Sequence, residues 1–271
     1  ETTRDSRTRG ACLRSAHRAC SIIRCMLSRF PERIRAVVFG ASGGIGAAAC
    51  SLLQHEPKVA ALYAGSRSQA AATEASTTTF TFDLLVEESI AAAAARIASE
   101  GALDLVVVAT GILHDGPQMQ PERTWGRFSA SNFAHAFAIN ATGPALIAQH
   151  FLPLLAIDRR SVFLALSARI GSISDNSLGG WAAYRASKAA LNQIIRTCAI
   201  ELARRNKSGV CVAYHPGTVN TALSAPFQQQ VNAGNLFTPH FAASRLLTVV
   251  DGLRVQDSGK LFAWDGTVIA P

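Results

Sequence analysis

Tyr184 and Lys188 stand four residues apart in the stretch GGWAAYRASKAALN, residues 179–192. The run is rich in Ala and Leu, the composition of a helix. On a helix that spacing stacks both side chains on one face, about one turn apart. A phenol beside an ammonium group can serve as a proton donor near neutral pH. Free tyrosine titrates near ~10 and gives up its proton reluctantly. A cation about 4 Å away, at an effective dielectric of about 20, favours the phenolate by up to ~4 kcal/mol, roughly three pKa units at most. That reaches the range of general acid catalysis. A surface tyrosine and a solvated lysine on one helix face would show the same spacing, so YxxxK alone leaves both readings open.

The elements that must carry such a pair are legible from Ile34 onward, where short apolar runs alternate with longer helical stretches. Strands are predicted at 34–39, 58–64, 78–82, 103–109, 161–166, 210–214 and 261–264. Helices are predicted after Gly46 and at 90–99, 133–155, 182–204 and 239–253, with Pro144 and Pro153 as local irregularities. This alternation implies an α/β fold: a doubly wound parallel sheet (Rossmann fold) of about seven strands with helices on both faces.

Between the first strand and its helix lies Gly40-Ala-Ser42-Gly43-Gly44-Ile45-Gly46, a GxxxGxG turn. A backbone that turns tightly and approaches a pyrophosphate closely has no room for a Cβ, and the helix N-terminus then faces the phosphate charge. The context of strand, turn and helix makes this a dinucleotide-binding candidate. The second strand ends in Ala64-Gly65-Ser66-Arg67. An acid there would hold a ribose 2′-hydroxyl, whereas an Arg accommodates a 2′-phosphate. NADP(H) is therefore expected ahead of NAD(H), with Ser66 and Arg67 as contacts; a solvated Arg67 is the alternative. Asp83, after the third strand, either meets the adenine ring or caps the next helix.

The 271 residues are 49% hydrophobic and 16% charged, enough for one large α/β domain at 34–271 behind a basic N-terminal extension at 1–33. The net charge of +8 is uneven: residues 1–35 hold nine Arg against three acids (Glu1, Asp5, Glu32), and the remainder carries 17 basic and 15 acidic side chains. A nearly neutral body argues against a nucleic-acid partner. Leu13, Ala16, Cys20, Ile23 and Leu27 recur at helical steps with Arg14, Arg18 and Arg24 elsewhere on the wheel. Such a segment resembles an organellar transit sequence and points to a mitochondrial matrix, otherwise to the cytoplasm. A stripe that docks a partner and a solvated basic tail are the other readings. The six Cys (Cys12, Cys20, Cys25, Cys50, Cys198, Cys211) show no metal-ligand spacing and no disulfide density, so reduced thiols in a reducing compartment are expected. No apolar run reaches the about 20 residues of a transmembrane helix.

With the glycine turn, Tyr184 and Lys188, and Pro216-Gly217 after the sixth strand, residues 34–270 resemble the short-chain dehydrogenases/reductases. Three further pieces are similar to the C-factor and Sniffer-like carbonyl reductase branch. They are Gly111-Ile-Leu-His114-Asp115, then Gly171-Ser-Ile-Ser-Asp175-Asn176 leading into Gly179-Gly180-Trp181, and Phe262-Ala-Trp264-Asp265-Gly266. The resemblance implies Tyr184 as proton donor to a substrate carbonyl oxygen. It implies that Lys188 holds the nicotinamide ribose and lowers the Tyr184 pKa. Asn140, in Ala138-Ile-Asn-Ala, would bind the water linking Lys188 to solvent, or bond backbone at a helix kink. Ala109-Thr-Gly111 stands where the family has Asn-Asn-Ala-Gly and keeps the glycine that lets the backbone pass the cofactor. His215-Pro216-Gly217-Thr218-Val219 would border the nicotinamide, with Thr218 and Val219 as contacts. The long helices after the fourth and fifth strands commonly pair subunits in this family, which implies a homo-oligomer.

One departure stands out. Where the family places a Ser to hold the carbonyl oxygen, alignment on Gly171 reads Ala168-Arg169-Ile170-Gly171. Ser167 is next door, but adjacent strand residues point to opposite faces. Either the strand end twists enough for Ser167 to serve, or Ser172 or Ser174 substitutes, or the hydrogen bond is missing. Two functions follow as expectations. The first is an NADP(H)-dependent reductase acting on a small-molecule carbonyl or alcohol. The second is a reductase fold kept as an accessory subunit of a larger complex. Residues 220–237, with Leu223, Phe227, Val231, Leu236 and Phe237 beside Gln228–Gln230, would close over the substrate or pack on their own body.

Overall fold

The apolar runs become strands of one sheet. The computed structural model describes residues 26–68, 77–230 and 232–271. In it, β1 (Ile34–Phe39) turns into α1 (Gly44–Gln54), followed by β2 (Val59–Ser66), β3 (Thr77–Thr81) and α2 (Glu87–Ala98). After β4 (Leu105–Val108) come α3 (Ala130–Phe137) and α4 (Gly143–Phe151), then β5 (Ser161–Leu166) and α5 (Ala182–Arg205). The chain continues through β6 (Gly209–His215), β7 (Thr218–Val219), β8 (Leu236–Phe237), α6 (Pro239–Gly252), β9 (Leu261–Ala263) and β10 (Val268–Ile269). The main sheet runs β10-β9-β6-β5-β4-β1-β2-β3, and β7 pairs with β8 apart from it. Only the β9–β10 pairing is antiparallel. The order reverses between β1 and β4, so a crevice opens at their carboxyl ends, where such sheets bind ligands.

Strands covered on both faces read as unbroken apolar runs. Every residue of β4 and β5 is buried. Phe39, Val106 and Phe163 pack on one face with Ile90 and Ile97 of α2, Ile147 of α4 and Leu191 and Ile195 of α5. Val38, Val107 and Leu164 pack on the other with Cys50 and Leu53 of α1 and Leu246 and Val250 of α6. Alternation along each strand thus feeds two cores. Cys50, Cys198 and Cys211 are free thiols, and burial pushes Cys50 up to about 12. No helix among the described residues is long and apolar enough to cross a membrane.

The structure departs from the sequence reading in three places. The sheet has eight strands rather than about seven, because the two-residue β10 adds an edge too short to carry a periodic signal. The single helix expected over 133–155 is broken: a π-helical turn, Ala138–Thr142, separates α3 from α4, and a 3-10 turn, Leu152–Leu154, ends it. The packed body also begins upstream of Ile34. Leu27 and Phe30 are buried among β1, α1 and α6. The Ser28 hydroxyl and the Arg29 N–H both donate to the Asp251 carboxylate at 2.7 Å. The amphipathic stripe and the transit-like reading fall mainly on residues 1–25, outside the described residues.

Candidate active site

The glycine turn sits at the carboxyl end of β1, pinned to its neighbours. Gly40 and Ala41 both donate to the Gly65 carbonyl at 2.9 Å, tying the turn to the end of β2. Gly40 has φ +83°, and a Cβ there would lie 2.9 Å from the Ala109 carbonyl oxygen at the end of β4. A Cβ on Gly46 would collide with the Gly40 carbonyl oxygen. Those two positions require glycine. Their absence of side chains brings the first turn of α1, with its unpaired amides, to the crevice mouth. Gly43, Gly44 and Ile45 line a cavity of about 580 Å3, joined by Ala109 and Gly111 after β4, Pro216 and Gly217 after β6, and Thr218 and Val219 of β7.

Ser42 is in the same turn but does not line that cavity. Ser66 is buried and its hydroxyl donates to the Ser68 carbonyl at 2.5 Å, which occupies its proton. Arg67 is exposed immediately beyond β2, beside the turn. Asp83 neither lines that cavity nor caps α2: its Oδ1 accepts from the Leu85 N–H at 2.9 Å in the turn before the helix, whose N-cap position is Val86 with no side-chain cap.

Tyr184 and Lys188 line the cavity from the first turns of α5. The coupling expected between them is not what their surroundings produce. Lys188 Nζ lies 6.0 Å from the Tyr184 ring centroid and donates instead to the Leu166 carbonyl of β5 at 2.9 Å. Lys188 is 3% exposed. Burial disfavours its charged form and lowers its pKa to about 7. Burial likewise pushes the Tyr184 phenol up to about 12, the reverse of the lowering predicted from a close ammonium. Desolvation of both groups outweighs a charge interaction at this separation, so the phenol stays protonated across the neutral range.

Asn140 is buried in the π-helical turn. Its Oδ1 accepts from the Ile112 N–H at 2.9 Å, and its Nδ2 donates to the Ile112 carbonyl at 2.8 Å and the Ser187 hydroxyl at 3.1 Å. The side-chain amide is therefore committed to backbone and to α5. A Cβ on Gly111 would lie 3.3 Å from Asn140 Oδ1 and 3.5 Å from Lys188 Nζ, so glycine lets all three groups meet. Pro144 lacks the N–H that the Asn140 carbonyl would accept in a regular helix. The backbone carbonyl, not the side chain, is the group at Asn140 relieved of its ordinary partner.

Ser167 borders the cavity, yet its hydroxyl donates to Asn192 Oδ1 at 2.6 Å. That spends its one proton on α5, so it has none to offer a carbonyl oxygen. Ser172 accepts from the Asp175 N–H at 3.2 Å and Ser174 donates to the Pro271 carbonyl, and neither lines the cavity. The sequence alternatives for the missing hydroxyl at Ala168 are thus occupied elsewhere. Gly171 explains the local geometry: a Cβ there would lie 2.8 Å from Lys188, so this glycine lets the loop after β5 rest on α5.

Sequence reasoning missed two features. Glu122, buried in the loop before α3, accepts the Ala183 N–H at 3.2 Å, and its backbone carbonyl accepts from Trp181 at 2.5 Å. It anchors the start of α5, where Trp181 has left-handed geometry (φ 55°) and no side chain of its own caps the helix. No local motif could show this, because the partners are distant in sequence. An edge-on aromatic chain also crosses the cavity mouth: His114 to Phe227 at 5.7 Å, Phe227 to Trp181 at 5.0 Å, and Trp181 to Tyr184 at 6.5 Å. Of residues 220–237, Leu223 and Phe227 line the cavity, Phe237 packs on Trp264 at 4.7 Å instead, and Val231 lies outside the described residues.

The chain is similar to known proteins in sequence and in fold. The sequence profile for short chain dehydrogenase matches residues 35–232. C-signal of Myxococcus xanthus is 34% identical over 144 residues, 53% of this chain and 81% of that protein. A 1-hydroxy-2-glutathionyl-2-methyl-3-butene dehydrogenase of Rhodococcus sp. is 31% identical over 193 residues, 69% of this chain and 77% of that one. Among solved structures, an NADPH-bound carbonyl reductase from chicken fatty liver superposes with a TM-score of 0.77 at 24% identity, covering 90% of this chain and 97% of its own. The carbonyl reductase Sniffer of D. melanogaster gives 0.77 at 20% identity, covering 89% and 100%. At those identities the two structures attest the fold.

Proposed function

This chain belongs to the short-chain dehydrogenase family, and we propose that it is an NADP(H)-dependent carbonyl reductase in which Tyr184 protonates the oxygen of a ketone or aldehyde. One observation carries the reading: Tyr184 and Lys188 line the same cavity as the first turn of α1, so proton donor and dinucleotide cradle share one space. Gly40 and Gly46, where a Cβ would strike the backbone, fit a pyrophosphate laid against that turn. Arg67 beyond β2 supports a 2′-phosphate over a free hydroxyl. The nicotinamide, when bound, supplies the hydride.

The protein's own groups do the rest. Tyr184 holds a proton that burial keeps in place to about 12, which favours reduction, where a phenol gives its proton, over oxidation, where a phenolate must accept one. Lys188, hydrogen-bonded to the Leu166 carbonyl, is held beside the Asn140 bulge and can exchange protons near neutral pH. The apolar mouth formed by Leu113, Leu178, Trp181, Leu223 and Phe227 supports an apolar or aromatic carbonyl substrate. The convergence of these groups favours turnover over the accessory-subunit reading.

Fluorescence titration with NADPH and with NADH, followed by NADPH oxidation against aromatic and aliphatic aldehydes and ketones, tests this reading. NADPH binds more tightly than NADH, and Tyr184→Phe lowers kcat on the order of 10²–10⁴-fold while leaving the NADPH Kd in place. Undiminished turnover in Tyr184→Phe would remove the proton-donor role.

A further inference from the structure

We infer that Arg185 and Arg169 form an anion subsite in the cavity wall, so that the substrate is a carbonyl compound carrying a carboxylate some way from its carbonyl. This rests on the reductase reading above and names the substrate class of that same site. Both arginines line the cavity, and among its lining residues Asp175 is the one carboxylate. Asp175 pairs with Arg169, Oδ2 to Nη1 at 3.4 Å, and both side chains are about half exposed. Such a pair is weak and yields to a better-placed anion. Asp265 also acts on Arg169, but it does not line the cavity and its carboxylate accepts from the Thr267 hydroxyl at 2.7 Å.

Arg185 has no carboxylate within ion-pair distance among the described residues. Its partners are carbonyls: Nε donates to Gly180 at 2.9 Å, Nη2 to Gly179 at 3.0 Å and Nη1 to Ile170 at 3.3 Å. These bonds fix the guanidinium plane and leave each Nη with a second N–H uncommitted. Tying neutral carbonyls together needs donors, not a charge. Burial works against the charged form of Arg185, and Asp175 offsets that only in part. A fixed planar cation with N–H groups to spare suits a carboxylate. Gly179 and Gly180, which hold it, precede α5, whereas Lys188 lies a turn further along that helix than Tyr184. The anion subsite is therefore on the side of Tyr184 away from Lys188. Leu178 and Trp181 flank the two glycines and also line the cavity, which gives an apolar spacer its surface. That layout favours a carbonyl and a carboxylate joined through an apolar spacer over a 2-oxo acid. The carbonyl carbon takes the hydride of the bound nicotinamide and its oxygen takes the Tyr184 proton, giving the alcohol, while the carboxylate binds without reacting.

The test compares kcat/KM for 3- and 4-carboxybenzaldehyde, each against its methyl ester, with NADPH. Wild type is expected to prefer the acid over the ester in at least one pair by about tenfold, the scale of a hydrogen bond to a charged group. Arg185→Lys keeps the charge but loses the fork, and lowers that preference about tenfold through KM. Arg169→Gln lowers it about threefold and Asp175→Asn raises it about threefold, the scale of exposed charges. Loosening of the loop would move both variants in one direction, so the opposite signs separate charge recognition from a structural role, even where Arg185→Lys fails to fold. Fluorescence titration supplies the second readout: the NADPH Kd is expected to stay in place in Arg169→Gln. A matching loss of NADPH affinity would assign the charge to the cofactor and overturn this inference. So would esters preferred in both pairs, or a preference that Arg169→Gln and Asp175→Asn both leave unchanged. Reduction of neutral aldehydes but of neither carboxybenzaldehyde overturns this inference while the reductase reading stands. Wild-type protein that binds NADPH yet reduces no carbonyl compound overturns both.

Discussion

At the scale of the residue, Lys188 places a cation in a sealed position with one carbonyl partner, and stability has to register that. Its folded pKa of about 7 lies below the free value of 10.5, so the unfolded chain holds the proton more tightly. The resulting penalty is full below about 7 and fades as pH rises to 10.5, and stability from this group climbs across that window. Lys188→Met removes the penalty with similar volume. The variant is expected to melt roughly 5 °C above wild type at neutral pH, a couple of kcal/mol in a domain of this size, and to be inactive. Melts recorded from neutral to alkaline pH should show the gap closing; a gap independent of pH would mean the charge is not what destabilises. The identity of the Tyr184/Lys188 pair was legible from a four-residue spacing. Its proton affinities were not, because they follow from desolvation, which no periodicity carries. For the same reason Ser167 looked available in sequence, and only the placement of Asn192 shows its proton spent.

At the scale of the element, the glycine turn is the part that tolerates least. A methyl on Gly46 would strike the Gly40 carbonyl and force α1 away from β1. Gly46→Ala is expected to cost about 1–3 kcal/mol of stability, as overpacking does, and to weaken NADPH binding about tenfold or more, a loss of ~1.4 kcal/mol. Paired melts and titrations check this; unchanged NADPH affinity would separate the turn from the dinucleotide. The turn and the strands β1, β4, β5 and β6 were legible because a strand buried on both faces leaves a continuous apolar run. The two-residue strands β7, β8 and β10 leave none. The break in the helix before β5 was half legible. Pro144 announced an irregularity, but the distortion falls upstream at Ala138–Thr142, because proline deprives the carbonyl four residues earlier. That carbonyl belongs to Asn140, so the helix fault and the site residue are one feature.

At the scale of the whole molecule, the chain has two working ends. The cavity lies at the carboxyl ends of the strands, while the segment from Met26 closes the amino ends. Lys58, just before β2, donates to the Ser28 and Phe30 carbonyls at 3.1 and 2.9 Å. Arg160, just before β5, stacks over the Phe30 ring at 4.9 Å. Leu27 and Phe30 did not announce this role, since Ser28 and Arg29 separate them and Pro31 interrupts any periodic pattern. Burying two such side chains contributes about 1.5–3 kcal/mol each. A chain beginning at Ile34, the boundary that apolar patterning favours, is therefore expected to melt well below one beginning at Met26. Because the docked segment sits across the sheet from the cavity, both chains should bind NADPH equally at temperatures where both are folded. Equal melting temperatures would show that the clamp contributes nothing; unequal NADPH affinity would show that the amino ends of the strands communicate with the site.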